Sequence, residues 1–206
     1  MKSIPIKCMA CDHPMQVAVV CEHCRSLAPA EELDYFAIFG LAPEYDIDPD
    51  VLREAYYRAS RMIHPDRLAA GSADDALGLR LSAKVNEAYK VLSDPIARAG
   101  YLLELQGGAS AEHDRRVAPE VLSETLELRE RIEDAGAERD ADGLAAIGRE
   151  IAQKRRETEA AVTALARRLP GDSDVRDRLR VELNTIRYWH RLSEDLAAAQ
   201  DVVRSS

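Results

Sequence analysis

The sequence predicts an all-α protein carrying a small metal-bound β/loop module at its N-terminus. Three observations predict it. Apolar residues recur at helical spacing through most of residues 32–206. Aromatic residues are only 5% of the chain against 46% hydrophobic, so the core is drawn from Ala, Leu, Ile and Val. All four cysteines fall before residue 25, where the helical pattern is weak. A length of 206 residues suits one or two domains. The net charge of -9 argues against nucleic acid as a partner, because phosphate contacts need a basic surface. No stretch approaches the roughly 18 apolar residues of a membrane span. Met1–Lys7 lacks both the apolar core of a secretion signal and the Arg-rich run of a transit peptide. The expected location is the bacterial cytoplasm, or the mitochondrial matrix for a processed eukaryotic form.

Four segments are expected. Residues 1–31 form the cysteine module, residues 32–106 a helical unit, residues 107–115 a linker of small and polar residues, and residues 116–206 a second helical unit. In the first segment, Cys8-Met9-Ala10-Cys11 and Cys21-Glu22-His23-Cys24 are two C-x-x-C knuckles. A two-residue gap lets both thiolates of a knuckle reach one ion, and two knuckles complete a tetrahedral set suited to structural Zn²⁺. Iron in the same thiolates is the weaker alternative, and disulfides or free thiols are the bland one. His13 and His23 are substitute ligands that a complete cysteine set makes unnecessary. The short spacer demands a tight hairpin, with residues 15–20 supplying its strand.

The next segment opens with a short helix near Asp34–Phe39 that stops at Gly40, with Leu33, Phe36 and Phe39 toward the core. Tyr45–Pro49 caps a second helix over Val51–Ile63. At about 100° per residue, Leu52, Tyr56, Ala59 and Ile63 share its core stripe. Arg53, Tyr57, Ser60, Arg61 and His64 share an adjoining basic stripe, which on its own reads as a solvated face. Pro65 fixes its own φ and disfavours helix at His64, so the helix stops there. His64 and Asp66 as a catalytic pair lack any nucleophile pattern or orienting group. After Ala70-Gly71-Ser72 comes a third helix with Leu77, Leu81, Val85, Ala88 and Leu92 on one stripe.

The second unit reads as three helices of about 20–30 residues, broken near Ala135-Gly136 and at Pro170–Asp174, which predicts an antiparallel bundle. On its first helix Val121, Leu128 and Ile132 share a stripe, while Leu122 and Leu126 point away by more than about 90°. On its last, Leu179, Leu183 and Ile186 share one stripe, Trp189, Leu192 and Leu196 a second, and Tyr188 lies opposite the first. Two helices presenting off-stripe apolar residues predict a small exposed patch of the kind that binds partners; the alternative is a wider core. The middle pattern, near Gly143–Leu169, carries no chemistry.

His64-Pro65-Asp66 between two amphipathic helices, followed by Asn86-Glu87-Ala88-Tyr89-Lys90-Val91-Leu92-Ser93-Asp94-Pro95, resembles a J domain. Continued through Pro95-Ile96-Ala97-Arg98-Ala99-Gly100-Tyr101-Leu102-Leu103 and later Leu126-Glu127-Leu128-Arg129-Glu130, the chain resembles the HscB-type co-chaperones of iron–sulfur cluster assembly over roughly residues 32–206. The cysteine knuckles occur in part of that family. The resemblance implies a J domain, meaning a helical hairpin with a His-Pro-Asp loop, followed by a three-helix bundle. It implies a protein that is not an enzyme itself and that switches on the ATPase of a DnaK-class (HscA-like) chaperone. The chaperone contacts it implies are His64, Pro65, Asp66, Arg53, Tyr57, Arg61 and Arg67. The implied surface for the iron–sulfur cluster scaffold protein (IscU-like) is Leu122, Ser123, Leu126 and Tyr188, with Ser123 standing where the family often has an apolar residue. The metal ligands are Cys8, Cys11, Cys21 and Cys24. The rival reading is a zinc-ribbon J protein that recruits chaperone to general unfolded clients; it leaves the bundle's phrases unexplained. An enzyme with a zinc site would need an open coordination position that four cysteines do not leave.

Overall fold

The computed structural model describes residues 6–29, 33–63 and 73–205, without side chains at 73–75. Among the described residues there are two short strands, β1 (Ile6–Lys7) and β2 (Pro14–Met15), and seven helices: α1 (Tyr35–Ile38), α2 (Pro49–Met62), α3 (Ala73–Ser93), α4 (Pro95–Leu105), α5 (Pro119–Ala137), α6 (Ala141–Ala166) and α7 (Ser173–Ser205). The all-α class with a small β/loop module is as the sequence predicts. Among the described residues no helix is long and apolar enough to cross a membrane. The chain divides into two compact units, one ending at Tyr101 and one starting at Leu102.

In the first unit each helix starts where its sequence supplies a cap. Asp34 accepts from Ala37 N at 2.8 Å, and Asp48 accepts from Asp50 N at 2.9 Å with Pro49 in the first turn. Asp94 accepts from Ile96 N and Ala97 N, both at 2.8 Å, and so starts α4 directly after α3. α3 packs against both α1 and α2. The core joins Phe36, Ile38, Phe39, Leu52, Ile63, Leu81, Val85, Ala88 and Leu92, all buried. Each of the Leu, Ile, Val and Phe side chains stabilises the fold by about 1.5–3 kcal/mol of removed apolar surface. Leu33 and Leu77, expected in the core, are only half-buried. Ala55 replaces Tyr56 on the buried stripe of α2. Tyr56 sits at its rim, stacked on Tyr89 at 4.3 Å and donating to Asn86 Oδ1 at 3.0 Å, which braces α2 on α3. The phrase at 95–105 also finds its reasons. Arg98 donates to Leu92 O at 2.6 Å at the end of α3 and covers the Tyr45 ring, while Tyr101 stacks on Tyr35 at 4.3 Å and accepts from Tyr35 N at 2.9 Å.

The cysteine module packs within this unit. Its strand is shorter than expected: β2 pairs with β1 in the register Ile6–Met15 and Lys7–Pro14, and Val17–Val20 is a buried, irregular run. Backbone bonds hold that run, with Ala18 N donating to Ile38 O at 3.1 Å and Ala28 N donating to Val19 O at 3.0 Å. Gly40 makes the crossing at α1 possible. Its φ is +69°, and a Cβ there would lie 2.4 Å from Gln16 O, a distance that no side chain tolerates.

In the second unit α5, α6 and α7 pack pairwise into a bundle. α5 ends slightly later than expected, at Ala137, and α6 begins where Asp140 accepts from Gly143 N at 2.9 Å. One core cluster gathers Leu128, Ile132, Leu144, Ile147, Ile151, Trp189, Leu192 and Leu196. Val121, expected on the same stripe, packs on it half-buried.

Residues 107–115 are not a loose linker. Within the second unit, the buried Arg180 donates to Ala109 O at 2.7 Å and pairs with Glu104 at 3.1 Å. Asn184 Nδ2 donates to Asp114 O and Arg116 O, each at 3.0 Å. Arg116 is hydrogen-bonded to the Asp114 carboxylate and holds its pKa down to about 2, from 3.8. A depressed carboxyl contributes stability that is complete above its unfolded value and lost as pH falls through its folded one. Asp114→Asn is therefore expected to lower stability by about 1–2 kcal/mol near neutral pH. The gap from the native protein should shrink between pH 6 and pH 3, as read by urea unfolding at the two pH values.

Candidate functional site

The two knuckles are built alike. In the first, Asp12 N donates to Cys8 O and Cys8 N to His13 O, both at 2.9 Å. In the second, Arg25 N donates to Cys21 O at 2.9 Å and Cys21 N to Ser26 O at 3.0 Å. Each turn closes through a residue in the left-handed region, Asp12 at φ 58° and Arg25 at φ 63°. The shared geometry brings all four Sγ atoms within 4.8 Å of one another. Cys8 and Cys24 are 3.6 Å apart and Cys11 and Cys21 are 3.7 Å apart. A tetrahedron with Zn–S bonds of about 2.3 Å has edges of about 3.8 Å, whereas a disulfide would need about 2.05 Å. The four thiols are free, so the bland disulfide reading gives way to a metal-ready set.

The electrostatics favour a cation at its centre. Ser26 Oγ lies 3.3 Å from Cys8 Sγ and 3.0 Å from Cys24 Sγ, and Ala10 N donates to Cys8 Sγ at 3.4 Å. The Ser26 contact, with Ala10, lowers the Cys8 thiol to about 6; Ser26 lowers Cys24 as well. At Cys11 the His13 backbone pulls downward, yet burial and the three neighbouring thiols prevail and push it up to about 12. Four thiolates this close repel unless a cation sits among them. Spacing does not mark Ser26; only the fold reveals that it serves two sulfurs. His13 and His23 stay outside the ligand set and stack on each other at 5.0 Å.

α2 carries the second candidate site. Tyr57 is 56% exposed, Arg53 is exposed and ion-paired with Asp50, and Arg61 is exposed with Nε donating to Tyr57 O at 3.2 Å. Tyr57 and Arg61 line a shallow hollow of about 450 Å³ with Glu54, Arg58 and Ser60. The expected stripe named Ser60 among exposed residues; it is partly buried and its Oγ has no partner among the described residues. Arg58 falls outside both stripes, beyond the outer edge of the basic one, so periodicity does not mark it. His64, Pro65, Asp66 and Arg67 lie outside the described residues.

The third candidate site lies on the bundle. Leu122 and Leu126 are 45% and 58% exposed, one turn apart on α5. Ser123 is exposed and donates to Pro119 O at 3.4 Å. Tyr188 on α7 is half-buried and lines a hollow of about 520 Å³. The buried Leu128 and Ile132 hold α5 in the core, so the off-stripe leucines are turned to solvent.

Comparison with known proteins gives the family. The DnaJ domain profile matches residues 34–101. The profile described as the HSCB C-terminal oligomerisation domain matches residues 117–197. A co-chaperone protein HscB homolog of Cupriavidus taiwanensis is 41% identical over 134 residues, covering 64% of this chain and 76% of that protein. The homolog of Bordetella avium is 34% identical over 172 residues, covering 81% and 97%. Among solved structures, chaperone HscB from Vibrio cholerae aligns with a TM-score of 0.65 at 27% identity, over 82% of this chain and 98% of that one. Human co-chaperone protein HscB shares the fold at a TM-score of 0.73 and 24% identity over 94% of this chain and 98% of that one, too much to leave the cysteine module outside the match. A J domain, an HscB C-terminal bundle and relatives named as co-chaperones occur in one chain, which belongs to the HscB family of J-domain co-chaperones and is not itself an enzyme.

Proposed function

We propose that this co-chaperone binds the iron–sulfur cluster scaffold protein through its bundle and delivers it to a DnaK-class, HscA-like chaperone in the cytoplasm. The J domain then stimulates that chaperone's ATPase, and hydrolysis clamps the scaffold to assist cluster transfer. The observation that carries this reading is the pairing of a J domain with a bundle whose α5 holds Leu122 and Leu126 exposed. Joining two binding modules in one chain raises the concentration of one partner near the other without any new contact. On α2, Arg53, Tyr57 and Arg61 form the docking face for an acidic surface of the chaperone, and His64, Pro65 and Asp66 couple docking to hydrolysis. Leu122, Ser123, Leu126 and Tyr188 receive the scaffold. Cys8, Cys11, Cys21 and Cys24 hold a structural zinc ion, which supplies folding energy and no catalytic step.

The deciding experiment is the steady-state ATPase of the chaperone with this protein and the scaffold added separately and together. Synergy is expected. Stimulation indifferent to the scaffold would favour a J protein with general unfolded clients instead. A double substitution, Leu126→Ala with Tyr188→Ala, locates the patch. A hot-spot residue costs about 2 kcal/mol or more on truncation, so even one hot spot in the pair lowers scaffold affinity about thirtyfold and two lower it further. Truncating Leu126, which is more than half exposed, should move the melting temperature little, and the half-buried Tyr188 should add a modest decrease. A large loss of stability with scaffold binding retained would return both residues to the core.

A further inference from the structure

The hollow beside Tyr188 has a composition that the apolar patch does not account for. It lies in the second unit between the 109–116 segment and α7, and is lined by Glu112, Arg115, Asn184, Arg187, Tyr188 and Arg191. Residues 184, 187, 188 and 191 fall on one face of α7, so the helix itself aims them at one place. Three guanidinium groups converge there in a chain of net charge -9. All three arginines are exposed, and none forms an ion pair among the described residues. Their neighbours differ: Arg116 and Arg180 are each paired with a carboxylate.

Asn184 is the second observation, independent of charge. It is 4% exposed, and its amide nitrogen is committed to the carbonyls of Asp114 and Arg116. Both of those partners are acceptors, so the amide orientation is fixed. Its Oδ1 is buried and has no donor. A buried acceptor left without a partner is disfavoured, and native folds rarely keep one without a reason. Sulfate would satisfy the arginines and leave this oxygen orphaned, since it brings no hydrogen. A peptide brings both groups: carboxylates for the guanidiniums and a main-chain N–H for Oδ1. Glu112 on the rim disfavours an unbroken run of acid, so carboxylates on alternate residues, spaced about 6.5–7 Å along an extended strand, suit the hollow best.

We propose that this hollow is a docking groove for an extended, acidic peptide segment of a protein partner. Arg115, Arg187 and Arg191 pair with its carboxylates, and Asn184 Oδ1 accepts one of its backbone N–H groups. The proposal rests on reading the second unit as the partner-binding half of the chain, and it adds a polar subsite that shares Tyr188 with the apolar one.

The test uses the full-length protein and a fluorescein-labelled acetyl-(Gly-Glu)4-amide peptide, read by anisotropy. Saturable binding is expected, weakening as salt rises because exposed charges are screened beyond about 8 Å at physiological ionic strength. The double variant Arg187→Gln with Arg191→Gln should bind about five- to tenfold more weakly, two lost ion pairs being the cause. Arg187→Lys with Arg191→Lys should recover part of the loss. Arg149→Gln, which removes an exposed charge of α6 outside the groove, should bind like the native chain. Sodium sulfate should compete no better than sodium chloride of equal ionic strength. The proposal is overturned by no saturable binding at low salt, by equal binding to all variants, or by sulfate competing selectively, which would make the hollow a simple anion site. Scaffold synergy in the chaperone ATPase is measured separately, so loss of peptide binding with synergy intact removes the groove and leaves the co-chaperone reading standing.

Discussion

His64→Gln is expected to return the chaperone's stimulated ATPase to its basal rate while scaffold binding persists. His64-Pro65-Asp66 follows α2 in the sequence, and described residues outside that tripeptide already anchor α2. Leu52, Ala55, Ala59 and Ile63 are buried beneath it, and Tyr56 ties it to α3 through Tyr89 and Asn86. A substitution at His64 therefore removes a contact to the partner rather than the platform that presents it. The bundle lies in the other compact unit, so its affinity for the scaffold should not change. Arg61→Ala makes the graded comparison. A rim charge chiefly tunes encounter, so stimulation should become weaker and less sensitive to salt without vanishing. If the His64 variant still stimulates, the assignment of that loop fails and the function built on it must be abandoned.

The second large effect is expected from metal removal. Metal analysis of the purified protein should find one zinc ion per chain; a coloured protein would point to iron in the same thiolates. Stripping the ion with a strong chelator removes the cation that offsets the repulsion of four close thiolates, and Cys21 is fully buried among them. The run Val17–Val20 then loses the frame that keeps it out of water. Structural zinc sites contribute folding energy outright, and each 1 kcal/mol moves a domain of this size by about 4–8 °C. Loss of several kcal/mol should lower the first unit's melting temperature by more than about 10 °C. Because Ala18 is bonded to Ile38 and Gln16 lies against Gly40, the loss should reach α1 and should show as weaker chaperone stimulation. Cys21→Ser should reproduce it. An unchanged melting profile after complete chelation would show the module to be ornamental to the fold.

Much of this architecture was legible because helices announce themselves through period. The stripe through Leu81, Val85, Ala88 and Leu92 needed only counting, and so did the isolation of Leu122 and Leu126 from Leu128 and Ile132. Paired cysteines at a two-residue gap are equally plain. What stayed hidden depends on contacts remote in sequence. Nothing near Arg180 says that it is buried against Ala109 O and Glu104, more than seventy positions earlier. Asn184 looks like any polar residue on a long helix until the 114–116 backbone is laid beside it. Residues 107–115 have the composition of a free linker because small and polar residues also suit a segment pinned through its carbonyls. Tyr56 deceived the wheel because a ring can leave the stripe's centre and still stack. The Val17–Val20 run has strand composition, yet its hydrogen bonds go to α1 and to Ala28 rather than to a sheet.

Trp189 is the chain's single tryptophan. It is 2% exposed in the bundle core, with its indole N–H donating to Thr158 Oγ1 at 3.0 Å. Every photon of tryptophan emission therefore comes from the second unit. The native protein should emit toward the blue and shift red when α6 and α7 separate, while the first unit, rich in tyrosine, stays silent at that wavelength. The molecule thus carries its own domain-specific reporter. Denaturant titrations read by tryptophan emission and by helical circular dichroism will separate the melting of the bundle from that of the helices before Tyr101 without any label.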